Sequence, residues 1–110
     1  MNINVIITLS FEAIHCWKNC FIDEVSFLKN PHRHIFHIQI KFPVNHTDRD
    51  IEFIQMKRKI QNFLKIKYDG KDIGTLSCED ICLEIMNEYP NINYIKVMED
   101  NENGAEINLR

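Results

Sequence analysis

Two stretches of this sequence alternate between apolar and polar residues, and this alternation limits the possible folds more than any other feature. In the first stretch, one face would carry Val5, Ile7, Leu9, Phe11, Ala13 and His15. In the second, one face would carry His32, His34, Phe36, Ile38, Ile40 and Phe42. A period of two residues is typical of a β-strand with one buried face. We therefore predict two antiparallel strands that form a hairpin with a wide loop over residues 17–31.

Three histidines fall where this hairpin would bring the two strands together. His15 ends the first strand, and His32 and His34 begin the second on the same face, whereas His37 points to the other face. Three imidazoles with an open fourth position are a typical ligand set for catalytic zinc. The sequence leaves a second interpretation open, in which the three side chains only form hydrogen bonds at the rim of the core.

The pattern of apolar residues after the hairpin predicts two helices followed by two strands. The first helix has apolar residues at helical spacing and a cap formed by Thr47 and Asp50, and the second is capped by Ser77 and Asp80. Strands are predicted over residues 92–99 and 105–109, with an Asn-Gly turn signal between them.

The predicted order is therefore β-β-α-α-β-β over a single domain, residues 1–110. We expect an α+β fold with a four-stranded antiparallel sheet and two helices on one face. Such a sheet has two open edges, and open edges favour edge-to-edge association, so we predict a homo-oligomer.

Composition and charge argue against some partners and locations. The formal net charge of -3 makes nucleic acid an unlikely partner, because proteins that bind phosphate backbones usually carry an excess of basic residues. There is no apolar run of about 20 residues that would predict a membrane span. The N-terminal residues lack the pattern of a signal peptide, so we expect a cytoplasmic protein whose four cysteines are reduced thiols.

Five further residues are candidates for ligand binding. Glu99 ends an otherwise apolar strand face, and a carboxylate there can accept two N–H groups from an amino-substituted heterocycle. Trp17 and Phe21 can stack on a planar ligand, and Arg33 and Arg49 can meet a phosphate. The alternatives are a strand-end charge in solvent for Glu99, and an oligomer contact or a hydrophobic lid for the two aromatic residues.

Several motifs resemble those of the 6-pyruvoyl-tetrahydropterin and 6-carboxy-tetrahydropterin synthases. "FEAIH" and "HRHIFHI" are similar to the family's paired histidine motifs, and "IEFIQMKRKI", "LSCEDICLEI" and "VMEDNENGAEI" follow in the family's order. The resemblance implies a T-fold subunit that associates into barrels, with sites between subunits that bind pterins or purines. It also implies that His15, His32 and His34 are zinc ligands and that Glu99 anchors the heterocycle.

The sequence departs from this family at the residues of its acid–base chemistry. Leu28 occupies the position of the catalytic cysteine, and the loop between the helices has no histidine to shuttle a proton. Cys16 and Cys20 are the thiols that could substitute. Loss of a general base typically costs about 10²–10⁴-fold in rate.

We therefore predict a non-catalytic or catalytically degenerate binding protein for a purine-, pterin- or nucleotide-like molecule. The Ile-, Asn- and Lys-rich composition is typical of AT-rich bacterial or phage genomes, and a phage protein that sequesters a nucleotide signal is one form of this prediction. The alternative is a zinc-dependent lyase of the pterin synthase type with a rearranged active site.

Overall fold

The computed structural model describes residues 1–109. Its α+β architecture contains five strands, two α-helices and one 3-10 helix. The strands are β1 (Ile3–His15), β2 (His32–Val44), β3 (Lys71–Asp72), β4 (Tyr94–Glu99) and β5 (Asn103–Asn108). The α-helices are α1 (Phe53–Lys67) and α2 (Cys78–Glu88), and the 3-10 helix spans Asp23–Lys29 in the loop of the β1–β2 hairpin.

The prediction of a four-stranded antiparallel sheet was wrong in one element. The sheet has five strands in the order β3-β1-β2-β4-β5, and β3 pairs in parallel with β1 at Ala13 and Ile14. This strand has only two residues, so it carries no alternation that the sequence could reveal. It lies in the connection after α1, where backbone groups of Gly70 and Ile73 bind those of Glu12 and Ile14.

The β1–β2 hairpin has the predicted register and supplies most of the core. Its strands pair over thirteen positions, from Ile3 opposite Val44 to His15 opposite His32. The inward face carries buried apolar residues of both strands, including Ile7, Phe11, Phe36 and Ile40. At about 25 cal/mol per Å² of apolar surface, this burial is the main favourable contribution to folding.

Both α-helices pack on this same face of the sheet. Ile60 and Leu64 of α1 and Ile81, Cys82 and Ile85 of α2 are buried in one cluster with the inward residues of the strands. The helices therefore cover one face, as the apolar stripes of the sequence indicated. None of the helices in residues 1–109 is long and apolar enough to cross a membrane.

The two helices begin in different ways. Ser77 caps α2 and forms a reciprocal capping box with Asp80, as predicted. The predicted cap of α1 at Thr47 and Asp50 was wrong, because Glu52 is the N-cap and its carboxylate accepts hydrogen bonds from the backbone N–H groups of residues 54 and 55. Asp50 instead accepts from the backbone N–H of residue 45 and stabilises the loop before the helix.

The turn between β4 and β5 also differs from the sequence-based expectation. Asp100 and Asn101 both adopt left-handed backbone conformations, with φ of 54° and 58°, and the N–H of Glu102 donates to the carbonyl of Glu99 at 2.9 Å. Two left-handed residues in succession are the pattern of the hairpin turn whose twist matches that of the strands. The Asn-Gly pair at 103–104 lies within β5 instead. A Cβ on Gly104 would lie 2.0 Å from the Val97 carbonyl oxygen, so glycine allows this close approach.

Candidate functional site

Three imidazole rings meet at the end of the core next to the β1–β2 loop, as the strand parity predicts. His15 lies directly opposite His32, and His34 is opposite Ala13, two residues along the same face. The ring centroids of the three histidines lie 4.6 to 5.4 Å apart, and one nitrogen from each ring lies within 4.8 Å of the others. His15 is buried, and the other two rings are partly exposed.

Each of the three rings has its Nδ1 atom engaged by a hydrogen-bond acceptor. His15 Nδ1 lies 2.7 Å from the carbonyl oxygen of Leu76, and His32 Nδ1 lies 2.8 Å from that of Asn30. His34 Nδ1 lies 2.7 Å from Oδ2 of Asp100. Because carbonyl and carboxylate oxygens only accept, Nδ1 carries the proton in each ring, and Nε2 of each neutral ring is left with a free lone pair.

The carboxylate of Glu99 lies against two of these Nε2 atoms. Its Oε2 is 3.1 Å from Nε2 of His15, and its Oε1 is 3.4 Å from Nε2 of His34. The Nε2 atom of His15 is buried and forms no well-directed hydrogen bond, so its contact with Glu99 is an ion pair only when the ring is protonated. A lone pair that faces a carboxylate oxygen at this distance is repulsive unless a cation, either a proton or a metal ion, lies between them.

The ionisation of the site follows from these contacts. Burial acts to lower the pKa of His15, but the nearby Glu99 carboxylate and the bond to Leu76 outweigh it, and the pKa is raised. The same contact with His15 holds the pKa of Glu99 below its ordinary value, with further contributions from the other two histidines. The hydrogen bonds from His34 and from the backbone of Ile35 likewise lower the pKa of Asp100.

This set of donors fits a divalent metal such as zinc. Neutral imidazole nitrogens are common zinc ligands, and ligating histidines usually donate the other N–H to a carbonyl or carboxylate that fixes the ring. All three rings have that arrangement here. When bound, zinc would polarise a ligand or a water molecule at its open position.

Two of the three histidines open onto a pocket of about 400 Å³. Its wall contains His15, His32 and Glu99, together with Trp17 and Leu28 from the hairpin loop and residues 75–79 at the start of α2. Ligand pockets typically occupy about 300–1,000 Å³ and combine an apolar lining with a few convergent polar groups. The cavity has both the size and the composition of a small-molecule site.

The structure brings only some of the predicted ligand-binding residues together. Glu99 and Trp17 line the pocket, whereas Phe21 is exposed and packs edge-on against Trp17 at 5.4 Å. Arg33 points to the opposite face of the sheet and pairs with Glu12 at 3.4 Å. Arg49 lies in the loop before α1 and pairs with Asp48 at 2.8 Å. A phosphate contact by either arginine stays a prediction that the geometry of this pocket does not support.

The sequence did not reveal two residues of the site. Asp100 binds His34 only because the left-handed turn directs its carboxylate back over β2, and strand parity cannot predict this. The sequence predicts that Cys78 is a buried helix residue, but in the structure it also lines the pocket. Among the thiols suggested as substitutes, Cys16 lines the pocket, and Cys20 is buried against the carbonyls of Ile22 and Val25.

The fold and this site define an α+β protein with a histidine cluster at the end of a hairpin. No protein-family model matches the chain. No curated protein matches it either. Among solved structures, it is similar to the crystal structure of an uncharacterized protein from Wolinella succinogenes, with a TM-score of 0.79 and 8% identity over 100% of this chain and 99% of the other. This similarity establishes a shared fold.

Proposed function

We propose that this protein binds a small planar heterocycle of the purine or pterin class in a pocket with a zinc ion at its floor. The observation that carries the proposal is the convergence of His15, His32 and His34, each with Nδ1 already engaged, beside the Glu99 carboxylate. That arrangement needs a cation, and three neutral imidazoles are suited to a divalent metal.

The chemistry of the wall supports the choice of ligand. Glu99 is ionised, and a carboxylate accepts two N–H groups in parallel from a ring that carries adjacent donors, as guanine and pterin do. Trp17 and Leu28 line the same pocket as Glu99. Aromatic surfaces of this kind bind planar rings.

The pocket lining supports binding rather than catalysis. Leu28 lies in the wall where the pterin synthase resemblance places a thiol, and among residues 1–109 no histidine other than His15 and His32 lines the cavity. Without a thiol at that position and a further histidine, the usual lyase reaction lacks the nucleophile and the proton shuttle that the resemblance implies. Capture of a nucleotide signal by a phage protein stays a prediction within this class.

The alternative function, a zinc-dependent lyase with a rearranged site, has one observation in its favour. Cys16 and Cys78 both line the pocket. Burial, and then the charge of Glu99, raise the pKa of Cys78 to about 12, so its thiolate is scarce at neutral pH. Cys16 is more exposed and is the better candidate nucleophile. Turnover of dihydroneopterin triphosphate that is lost in Cys16→Ser would favour the lyase.

The shape of the chain supports a homo-oligomer. Its radius of gyration is 15.2 Å, whereas a compact domain of this length has a value of about 13 Å. Residues 3–11 of β1 have no neighbouring strand on their outer side within the described chain, and β5 forms the other edge of the sheet. Open edges of this kind are suited to pairing between copies.

Calorimetry on zinc-loaded protein tests the binding proposal. Pterins, guanine derivatives and cyclic or ADP-ribose nucleotides are titrated into the wild type, Glu99→Gln and the control Glu102→Gln, whose side chain is exposed in the β4–β5 turn. We expect binding that weakens by about 10-fold or more in Glu99→Gln, because one charged acceptor is lost, and that is retained in the control. Absence of binding by the wild type well above micromolar concentrations would reject the ligand class.

A further inference from the structure

Asp100 makes three contacts with the start of β2 from an unusual backbone conformation. Its Oδ2 accepts from His34 Nδ1 at 2.7 Å, and its Oδ1 accepts from the backbone N–H of Ile35 at 3.0 Å. Its own N–H donates to the Ile35 carbonyl at 2.8 Å. A left-handed φ of 54° is uncommon for a residue with a side chain, and here it directs the carboxylate at the ring of His34.

These contacts fix both the orientation and the tautomer of His34. The bond from Ile35 holds the carboxylate in place, and because a carboxylate oxygen only accepts, the contact with His34 needs a proton on Nδ1. In the neutral ring Nε2 then carries the lone pair, and it is directed towards Glu99 and the other rings. Nδ1 of His15 and Nδ1 of His32 bind neutral backbone carbonyls instead, so His34 is the only ring of the described cluster whose Nδ1 binds a charged acceptor.

The charge of this acceptor distinguishes Asp100 from the other two anchors. A carboxylate that accepts from an imidazole N–H makes the opposite nitrogen a stronger electron donor than a carbonyl does. The carboxylate acts on Nε2 through the imidazole ring of His34, so Asp100 needs no contact with a metal. Loss of such a partner typically lowers metal affinity by about 10–100-fold.

We propose that Asp100 is a positioning residue that holds His34 in its metal-binding tautomer and sets the affinity of the site. This inference rests on the proposed metal site and adds a residue that the motif resemblance does not include. The proposal gives a functional reason for the left-handed conformation of Asp100, which is one of two consecutive turn residues with positive φ.

The test compares two glycine substitutions in the same turn. Asp100→Gly and Asn101→Gly both retain a residue that tolerates positive φ, but only the first removes the contact with His34. We expect Asp100→Gly to weaken zinc binding by about 10–100-fold in chelator competition. We expect Asn101→Gly to stay within about twofold of the wild type, since its side chain contacts none of the three rings. Asp100→Asn, which keeps the turn and one acceptor oxygen but loses the charge, should fall between them.

A second measurement separates this inference from the metal proposal. In zinc-free protein, long-range ¹⁵N–¹H correlation spectra of the imidazole rings should show His34 as the Nδ1–H tautomer, and Asp100→Gly should shift it towards Nε2–H. An unchanged tautomer in Asp100→Gly, or unchanged zinc affinity, would overturn the positioning role. If the wild type takes up no zinc while the tautomer shifts as expected, the metal proposal and the role of Asp100 in metal affinity both fail, and only its orientation of His34 remains.

Discussion

The carbonyl oxygen of Leu76 accepts a hydrogen bond of 2.7 Å from Nδ1 of His15, and this bond joins the end of β1 to the residue that precedes the N-cap of α2. The histidine cluster and the start of α2 are therefore one mechanical unit. Interactions that stabilise the start of α2 therefore also hold the Leu76 carbonyl, which orients the buried ring of His15.

Ser77→Ala should destabilise this unit. It removes the side chain that accepts from the Asp80 N–H at 3.1 Å, and loss of such a cap typically costs about 1 kcal/mol. Urea unfolding measures the change in free energy. The matched control is Ser10→Ala, on an exposed strand position, which should leave the midpoint nearly unchanged. Equal midpoints for the wild type and Ser77→Ala would show that the capping box contributes nothing.

Thiol labelling should distinguish Cys16 from the other three cysteines. Cys20, Cys78 and Cys82 are buried, and Cys16 is partly exposed at the pocket. We expect one thiol per chain to react with a disulfide reagent near pH 8 under native conditions, and four after unfolding. Cys16→Ser should abolish the fast reaction. A second thiol that reacts equally fast would contradict the burial of the other three cysteines.

Stability should fall as the solution becomes alkaline. Burial raises the pKa of Cys78 to about 12 and that of Cys82 to about 11, against an ordinary value of 9.0. Above about pH 9 the unfolded chain loses these protons first, so the folded state binds more protons and its free energy of unfolding decreases with pH. The urea midpoint should therefore be lower near pH 10.5 than near pH 8. Cys78→Ala should reduce this pH dependence, and an identical slope in that variant would exclude the thiol as a cause.

Light scattering should reveal self-association. The chain has a mass of 13.1 kDa, so a particle mass that is a multiple of this value is expected at micromolar concentrations. Phe21 and Phe27 are highly exposed on the hairpin loop, and replacing either by Asp provides a test of whether the loop or the strand edges form the contact. A monomer at every accessible concentration would contradict the prediction of a homo-oligomer.

Strand parity explains why so much of the hairpin could be predicted from the sequence. A shift of one residue would expose the whole apolar set, so the alternation in residues 5–15 and 32–42 determines which side chains share a face. The convergence of His15, His32 and His34 follows directly from it. The capping box of α2 could be predicted for a similar reason, because Ser77 and Asp80 satisfy each other locally.

The elements that were missed depend on contacts distant in sequence or on unusual backbone angles. Strand β3 exists because the connection after α1 passes beside Ala13 and Ile14, and its two polar residues give no signal. The contact between Asp100 and His34 depends on a left-handed turn, for which the sequence offered a competing Asn-Gly pair nearby. Cys78 lines the pocket because it is the first residue of α2, and the start of this helix forms part of the pocket wall.

Zinc content after loading and exhaustive dialysis tests the central claim most directly. The wild type and His37→Ala, whose side chain lies on the opposite face, should retain about one zinc ion per chain, and a variant with alanine at His15, His32 and His34 should retain none. A wild-type protein that holds no zinc, or a triple variant that holds as much as the wild type, would contradict the account.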